Sequence, residues 1–123
     1  MIRCLIRLDA AGCLEGFEAS GHALSAKPDP EGGQLWGPAC AAVTVLLRTA
    51  GRLLHGHPAL RIAGEAPRPG EMLLEVGPVP DAARGWLQGA TDFLLRGLRD
   101  IRDEYPQSLE IVIRRKGTTD HGT

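Results

Sequence analysis

The stretch that decides the fold is residues 37–54, Gly-Pro-Ala-Cys-Ala-Ala-Val-Thr-Val-Leu-Leu-Arg-Thr-Ala-Gly-Arg-Leu-Leu. Pro38 suits the first position of a helix, because its fixed φ is helical and the N–H that it lacks would be unpaired there. Apolar residues then recur at intervals of three or four, which predicts the core-facing stripe of an amphipathic helix. These residues are Val43, Leu46, Leu47, Ala50, Leu53 and Leu54. We expect the helix to end near residues 55–58.

Upstream of this helix the sequence favours a β-hairpin followed by a loop. Apolar residues alternate with others from Ile2 to Leu8, residues 9–12 have turn chemistry, and residues 14–20 read as the returning strand. Residues 21–37 contain several prolines and glycines and follow neither the helical nor the strand period, which predicts a long loop. Loops of this length in compact domains usually carry function.

Downstream, the pattern predicts two short strands, a second helix and a last strand. The strands are expected at residues 60–63 and 72–76, and the last strand at 109–113. The second helix should begin at residues 80–81 and run to about residue 105, with Trp86 and Phe93 on its core stripe and available to a dimer surface. The order ββαββαβ predicts an α/β (α+β) fold, a two-layer sandwich with two helices on one face of a sheet. We expect one domain over residues 1–116 and a polar tail at 117–123.

Composition limits the classes of function. Hydrophobic residues make up 43% and charged residues 24% of the chain, and the formal net charge is -1, so we expect a folded domain without direct nucleic-acid binding. Charges interrupt the N-terminal apolar run and no stretch approaches the roughly 20 apolar residues of a membrane span, which favours a cytoplasmic protein. The three cysteines form neither an even disulfide set nor a CxxC pair. We therefore predict no metal and no cofactor, and interpret His55 and His57 as solvent-facing residues at a helix end.

Cys40 is the residue best placed for chemistry. If Pro38 begins the helix, Cys40 lies in the first turn, where free N–H groups and the helix dipole favour a thiolate. The N–H groups of Cys40 and Ala41 are expected to be free to stabilise an oxyanion. Thr44, one turn further on the same side, is expected to support the site, and His22 is the candidate general base.

The residues also allow plainer interpretations. Cysteine is among the most buried residue types, and Cys40 stands three residues before Val43, so it could begin the core stripe. His22 could be an ordinary loop histidine that bonds to a backbone carbonyl. A single histidine and a single cysteine at this spacing do not by themselves define a catalytic pair.

The motifs resemble those of the Prp family of bacterial ribosomal-processing cysteine proteases. Members of that family share a Gly-His motif after the second strand and a Cys-Ala-Ala-Val-Ser/Thr motif at the start of the first helix. Here these are residues 21–22 and 40–44, with the Phe-Glu-x-Ser-Gly-His lead-in at 17–22 and a family-like Glu-Tyr-Pro at 104–106. The resemblance implies that His22 and Cys40 are the catalytic pair. It further implies removal of the N-terminal extension of ribosomal large-subunit protein twenty-seven, a ribosomal peptide as partner, a two-layer α/β fold and a homodimer.

Two positions depart from the family pattern. Members of the family typically carry an Asp three residues before the cysteine and a bulky aliphatic residue just before it, where this chain has Gly37 and Ala39. The loop between the two motifs is also longer, and its added part offers Asp29 and Glu31 as alternative groups to orient the histidine, although solvated loop charges are the default interpretation.

Four glycines belong to the segment that we expect to bind the peptide and order over it. They are Gly21, Gly32, Gly33 and Gly37. The missing Asp at position 37 motivates an alternative function, a non-catalytic ribosome-associated or protein-binding module on the same fold.

Overall fold

Two helices and seven strands make up the described part of the computed structural model, which covers residues 1–21, 24–28, 34–65 and 71–117. Helix α1 spans Pro38–His55 and begins at the predicted proline. Helix α2 spans Asp81–Glu104. The strands are β1 Ile2–Leu8, β2 Leu14–Ser20, β3 Leu24–Pro28, β4 Gln34–Trp36, β5 Ile62–Glu65, β6 Met72–Val76 and β7 Leu109–Arg115.

Five of these strands form one mixed sheet in the order β5-β6-β2-β1-β7. Neighbouring strands are antiparallel except β1 and β7, which run parallel. Both helices bury their apolar stripes in one cluster with the side chains of alternate residues of β1, so they cover the same face of the sheet. The predicted two-layer arrangement and the order ββαββαβ are confirmed.

The segment predicted as a long loop contains an additional small hairpin. Strands β3 and β4 pair antiparallel in a two-stranded sheet of their own. Their pairing is irregular, with a register shift between Leu24 and Pro28. Such short, proline-containing strands have too few residues to show a period of two, so the sequence pattern gave no sign of them.

Strands β2 and β5 are each antiparallel to β6 and therefore parallel to each other. Helix α1 follows the β3–β4 hairpin in the chain and precedes β5. Its C-terminal half lies beside β5 and β6, where Gly51 and His55 line a groove together with Gly64 and Leu74. Strand β5 itself begins at Ile62, two residues later than the pattern predicts.

Trp86 and Phe93 do not pack in the core, so that prediction was wrong. Their exposed fractions are 38% and 73%, and Leu53 of α1 is 52% exposed. Each of the three stands one residue before a buried leucine, which places it about 100° away around the helix. The buried residues of α2 are Ala83, Leu87, Thr91, Leu94 and Leu98.

The turn between β1 and β2 is fastened to α2 by side chains. The Asp9 carboxylate accepts hydrogen bonds from the N–H groups of Ala11 and Cys13, each at 2.9 Å, and from the Arg84 guanidinium at 2.8 Å. Burial raises the pKa of Asp9, but the Cys13 N–H and the Arg84 guanidinium together hold it below its ordinary value. These hydrogen bonds connect the turn between β1 and β2 to α2 and form a polar joint between them.

Candidate active site

Cys40 is the third residue of α1, as the sequence predicts. Gly37, just before the helix, has extended backbone angles (φ -68°, ψ 157°) and supplies no side-chain cap. Residues 37–41 are all described and none of them is acidic. The partial positive charge of the helix N-terminus is therefore not offset within the first turn, which favours a negative charge at this position.

One of the two N–H groups expected to be free is already bonded. The Ala41 N–H donates to the Gly37 carbonyl at 3.2 Å, which is the first hydrogen bond of the helix, so the prediction for Ala41 was wrong. The Cys40 N–H has no acceptor within the helix, because its partner position would precede Gly37. The N–H groups of Ala39 and Cys40 are therefore without an acceptor inside the helix.

Cys40 is also buried, with an exposed fraction of 3%. It belongs to the apolar cluster that includes Val43 and Leu47, as the plainer interpretation predicted. Both interpretations hold for Cys40, because its side chain packs with the core stripe of α1 while its backbone lies in the first turn of the helix. Thr44 is half-buried and lies one turn beyond Cys40.

The predicted general base, His22, lies outside the described residues. The same is true of Gly32 and Gly33 of the predicted substrate loop, and of Asp29 and Glu31. These assignments stay predictions.

Gly21 lies within the described residues, and the structure explains why a glycine stands there. Its φ is +90°, a region that favours glycine, and an added Cβ would collide with the backbone carbonyl of Met1. A larger residue at this position would therefore displace the chain where it leaves β2. Backbone geometry alone thus explains the glycine of the Gly-His motif.

The other two cysteines lie in surroundings that oppose thiolate chemistry. Cys4 is fully buried on β1, and burial raises the pKa of its thiol to about 12. Cys13 is 2% exposed, and burial, followed by the charge of Asp9, raises the pKa of its thiol. Its Sγ lies 3.5 Å from the Gln88 side-chain oxygen. Cys40 is thus the cysteine that stands at a helix N-terminus.

Sequence reasoning missed Arg48 and Arg52. Both are exposed and stand four residues apart in the C-terminal half of α1. Together with His55 they line an open groove beside the sheet. The sign in the sequence was the four-residue spacing of Arg48 and Arg52, which makes them neighbours on one helix. Among the described residues no group of His, Cys, Asp and Glu could hold a metal ion.

A sequence model of the family described as Cysteine protease Prp matches residues 1–110 of the chain. The chain belongs to the Prp family of cysteine proteases. No curated protein shows a significant match to the sequence. The family assignment therefore rests on the family model, which covers both predicted motifs.

Solved structures confirm the Prp fold. The essential ribosomal processing protease Prp from S. aureus, in complex with a covalently linked product peptide, is 17% identical with a TM-score of 0.70, covering 93% of this chain and 100% of that one. SMU.848 from Streptococcus mutans is 19% identical with a TM-score of 0.72, covering 94% and 96% of the two chains. A hypothetical protein from Staphylococcus aureus is 15% identical with a TM-score of 0.65, covering 93% and 100%. At these identities the likeness establishes the fold, and the chemistry of this Prp-family chain has to be argued from its own residues.

In the described parts of the chain, neither α1 nor α2 offers an apolar stretch sufficient to cross a bilayer.

Proposed function

We propose that the chain is a cysteine endopeptidase in which Cys40 is the nucleophile and His22 is the general base. One observation carries the proposal: in a chain of a cysteine protease family, Cys40 is the cysteine in the first turn of a helix. Cys4 and Cys13 are buried, and burial raises the pKa of both thiols. Reactive cysteines occur where a positive environment stabilises the thiolate, which is what the start of α1 supplies.

The first half of the reaction forms a thioester. The imidazole of His22 accepts the thiol proton, and the Cys40 Sγ attacks the carbonyl carbon of the scissile peptide bond. The Cys40 N–H, which has no acceptor in the helix, donates to the oxyanion of the tetrahedral intermediate. The protonated imidazole then gives its proton to the leaving amine as the C–N bond breaks.

The second half restores the enzyme. A water molecule, deprotonated by the imidazole, attacks the thioester carbonyl, and the C–S bond breaks to release a carboxylate. The proton returns to the thiolate. Because Cys40 is only 3% exposed, a peptide reaches its Sγ only after local rearrangement around the first turn of α1. We therefore expect slow alkylation of Cys40 without substrate and faster alkylation with a bound, non-cleavable peptide.

The proposed substrate is the N-terminal extension of ribosomal large-subunit protein twenty-seven, met in the cytoplasm. Two observations support this choice. The Gly-His and Cys-Ala-Ala-Val-Thr motifs of the chain resemble those of the ribosomal-processing family. A structure with the same fold is an S. aureus ribosomal processing protease in complex with a substrate peptide.

The decisive test is cleavage of the precursor of that ribosomal protein. Wild type should remove the extension, and Cys40→Ala and His22→Ala should each lower kcat/KM by at least about a thousandfold. Cys13→Ala and His121→Ala are matched controls that remove a thiol and an imidazole elsewhere and should keep activity. Equal cleavage by wild type and both site variants would end the assignment.

We also propose that the chain forms a homodimer through the faces of α1 and α2 that the sheet leaves uncovered. Leu53 and Phe93 are 52% and 73% exposed at the rim of an apolar hollow between the two helices. Exposed large apolar side chains of this kind are typical of protein interfaces. Light scattering should show a dimer for wild type and a monomer for Phe93→Glu. Val45→Glu, at an exposed apolar site outside the lining of this hollow, should stay dimeric.

Two observations favour a second candidate function, that of a non-catalytic protein-binding module. Cys40 is nearly inaccessible, and Gly37 stands where members of the family typically carry an Asp. Alkylation near pH 6 separates the two functions. A Cys40 that reacts no faster than free cysteine, with and without peptide, supports the module, whereas peptide-stimulated labelling that disappears in His22→Ala supports the peptidase.

A further inference from the structure

Strand β7 lies at one edge of the five-stranded sheet, and within the described part of the chain no strand pairs with its outer side. It is seven residues long, with the sequence Leu-Glu-Ile-Val-Ile-Arg-Arg. An edge strand of this length offers backbone N–H and C=O groups to any other extended strand. Neither the proposed chemistry nor the helix faces proposed for the dimer use this edge.

The hydrogen bonds to β1 show which residues of β7 direct their backbone groups outward. The Ser108 carbonyl accepts a hydrogen bond from β1 at 2.9 Å, and the Lys116 N–H donates one to β1 at 2.8 Å. The register between these two bonds is regular, and successive residues of a strand direct their backbone groups to alternate sides. The backbone groups of Ile111 and Ile113 therefore face outward.

The side chains of β7 carry a charge pattern that reverses about its centre. Ile111 and Ile113 lie on the face of the sheet that the helices cover, and Ile113 is 38% exposed there. Glu110, Val112 and Arg114 lie on the opposite face. The three central residues of the strand are thus apolar, with a negative charge two residues before Val112 and a positive charge two residues after it.

This pattern is complementary to itself in the antiparallel direction. If Val112 lies opposite Val112 of a second copy, Glu110 lies opposite Arg114 of that copy, in a pair whose side chains come close together. Ile111 then lies opposite Ile113 of the second copy and exchanges both backbone hydrogen bonds with it. This exchange agrees with the outward direction of their N–H and C=O groups.

Other two-fold registers of the same strand do not match its charges. With the axis at Ile111, Glu110 lies opposite Val112, and with the axis at Ile113, Arg114 lies opposite Val112. An axis at Glu110 or at Arg114 places like charges directly opposite each other, which destabilises a strand pair. Among axes at residues 110–114, the one at Val112 therefore gives each charged side chain a partner of opposite sign.

We propose that β7 pairs antiparallel with β7 of a second copy about a two-fold axis at Val112, so that the sheets of two protomers become continuous. The sheet edge and the exposed helix faces are different surfaces, so this contact adds to the proposed helix-face dimer and does not replace it. One short strand buries less than the roughly 800 Å² per partner of a standard interface, so we expect association only above about 100 µM.

Sedimentation equilibrium of Phe93→Glu isolates the edge, because this variant removes the helix-face contact. We expect a monomer at about 10 µM and a monomer–dimer equilibrium as the concentration approaches about 1 mM. Wild type, which has both surfaces, should exceed a dimer at the higher concentration. Charged residues on edge strands can also serve to prevent pairing. A Phe93→Glu protein that stays monomeric at about 1 mM would support that role and overturn the proposal.

Charge reversal tests the register. In the Phe93→Glu background, Glu110→Arg and Arg114→Glu each place like charges opposite each other in both symmetry-related pairs. Each should weaken association at least about tenfold. Mixed in equal amounts, the two variants should associate with each other, because one strand then carries two positive charges and the other two negative charges. Association on mixing also excludes misfolding as the cause of the single-variant losses.

The matched control is Glu18→Arg, which reverses the same charge on the same face of the sheet but two strands away from the edge. It should leave association unchanged. Equal weakening by Glu18→Arg, or no association between the mixed Glu110→Arg and Arg114→Glu proteins, would overturn the proposed register.

Amide hydrogen exchange then locates the contact. The N–H groups of Ile111 and Ile113 should exchange more slowly at about 1 mM than at about 10 µM protein. The N–H groups of Val112 and Arg114, which face β1, should exchange at the same rate at both concentrations. Exchange at Ile111 and Ile113 that does not depend on concentration, in a sample that does associate, would assign the association to another surface and overturn the edge pair.

Discussion

The two helices cover the same face of the sheet but are fastened to it in different ways. Helix α2 carries side-chain hydrogen bonds to the turn between β1 and β2 through Arg84 and Gln88, and to Leu14 at the start of β2 through Thr91. Among the described residues, no side chain of α1 makes a hydrogen bond or ion pair, and its contacts with the sheet are apolar. The helix with the proposed nucleophile is thus the one without polar joints.

This difference predicts that α2 is the more firmly fixed of the two helices. A hydrogen bond between buried groups fixes one arrangement, because breaking it leaves an unpaired polar atom. Apolar contacts are less directional and fix one arrangement less strictly. The following experiments test this division between a helix with polar joints and a helix without them.

The largest effect is expected from truncating the core beneath each helix. Leu47 of α1 and Leu87 of α2 are 1% and 0% exposed. Leu47→Ala and Leu87→Ala should each lower the free energy of unfolding by about 3 kcal/mol, because both leave a cavity. Denaturant titration gives both values. If the two variants lose similar unfolding free energy, the helices differ in their polar contacts and not in their packing. A much smaller loss for Leu47→Ala would mean that α1 is also loosely packed.

A matched pair of threonines tests the polar joint directly. The buried Thr91 hydroxyl accepts a hydrogen bond from the Leu14 N–H at 3.0 Å and donates one to the Leu87 carbonyl at 2.7 Å. Thr91→Val should cost about 2 kcal/mol of unfolding free energy, because the Leu14 N–H is left unpaired.

Thr44→Val is the control on α1 and should change stability by less than about 0.5 kcal/mol while lowering peptidase activity. Equal stability losses for the two variants, measured by denaturant titration, would contradict the division between the helices.

Acid should weaken the joint between α2 and the turn. The pKa of Asp9 is lowered in the folded state from 3.8, so its contribution is complete above that value and is lost as pH falls through the lower folded pKa. Thermal unfolding against pH should therefore show that Asp9→Asn is less stable than wild type at neutral pH. The two curves should converge below about pH 4. Asp92→Asn, which removes an exposed carboxylate on α2, is the comparison. Curves for Asp9→Asn and wild type that stay parallel down to strong acid would contradict the role of Asp9.

The smallest effect on stability is expected at the start of α1. The extended backbone of Gly37 suits a capping residue, so Gly37→Asn and Gly37→Asp should each add a few tenths of a kcal/mol. If the carboxylate found in typical members of the family also orients the histidine, Gly37→Asp alone should raise kcat for the ribosomal precursor. Equal kcat values for the two variants would assign position 37 to capping only.

Most of the fold could be predicted from local patterns. Pro38 and the apolar period placed α1, Pro80 and Asp81 placed the start of α2, and alternation placed β1 and β2. The failures have a common cause. Trp86 and Phe93 fit a helical period as well as their buried neighbours do, and only the direction in which α2 meets the sheet decided which side is covered.

The site was predictable in part. The helix start and the position of Cys40 within it follow from neighbouring residues. The bonded state of the Ala41 N–H depended on where the first helical hydrogen bond forms, and a sequence pattern fixes helix ends only to within a residue or two. The groove was not predictable, because α1 and the strands that line it with α1 are distant in sequence.

The sequence by itself determined the two helices, the principal strands and a cysteine at a helix N-terminus, because these features depend on residues close together in the chain. Only the tertiary structure decided that Cys40 is nearly sealed from solvent and that Cys4 and Cys13 are placed where burial opposes a thiolate. It also brought Arg48 and Arg52 to the groove beside the sheet. Burial and grooves arise where elements distant in sequence meet, and the periodicity of one element does not encode what packs against it.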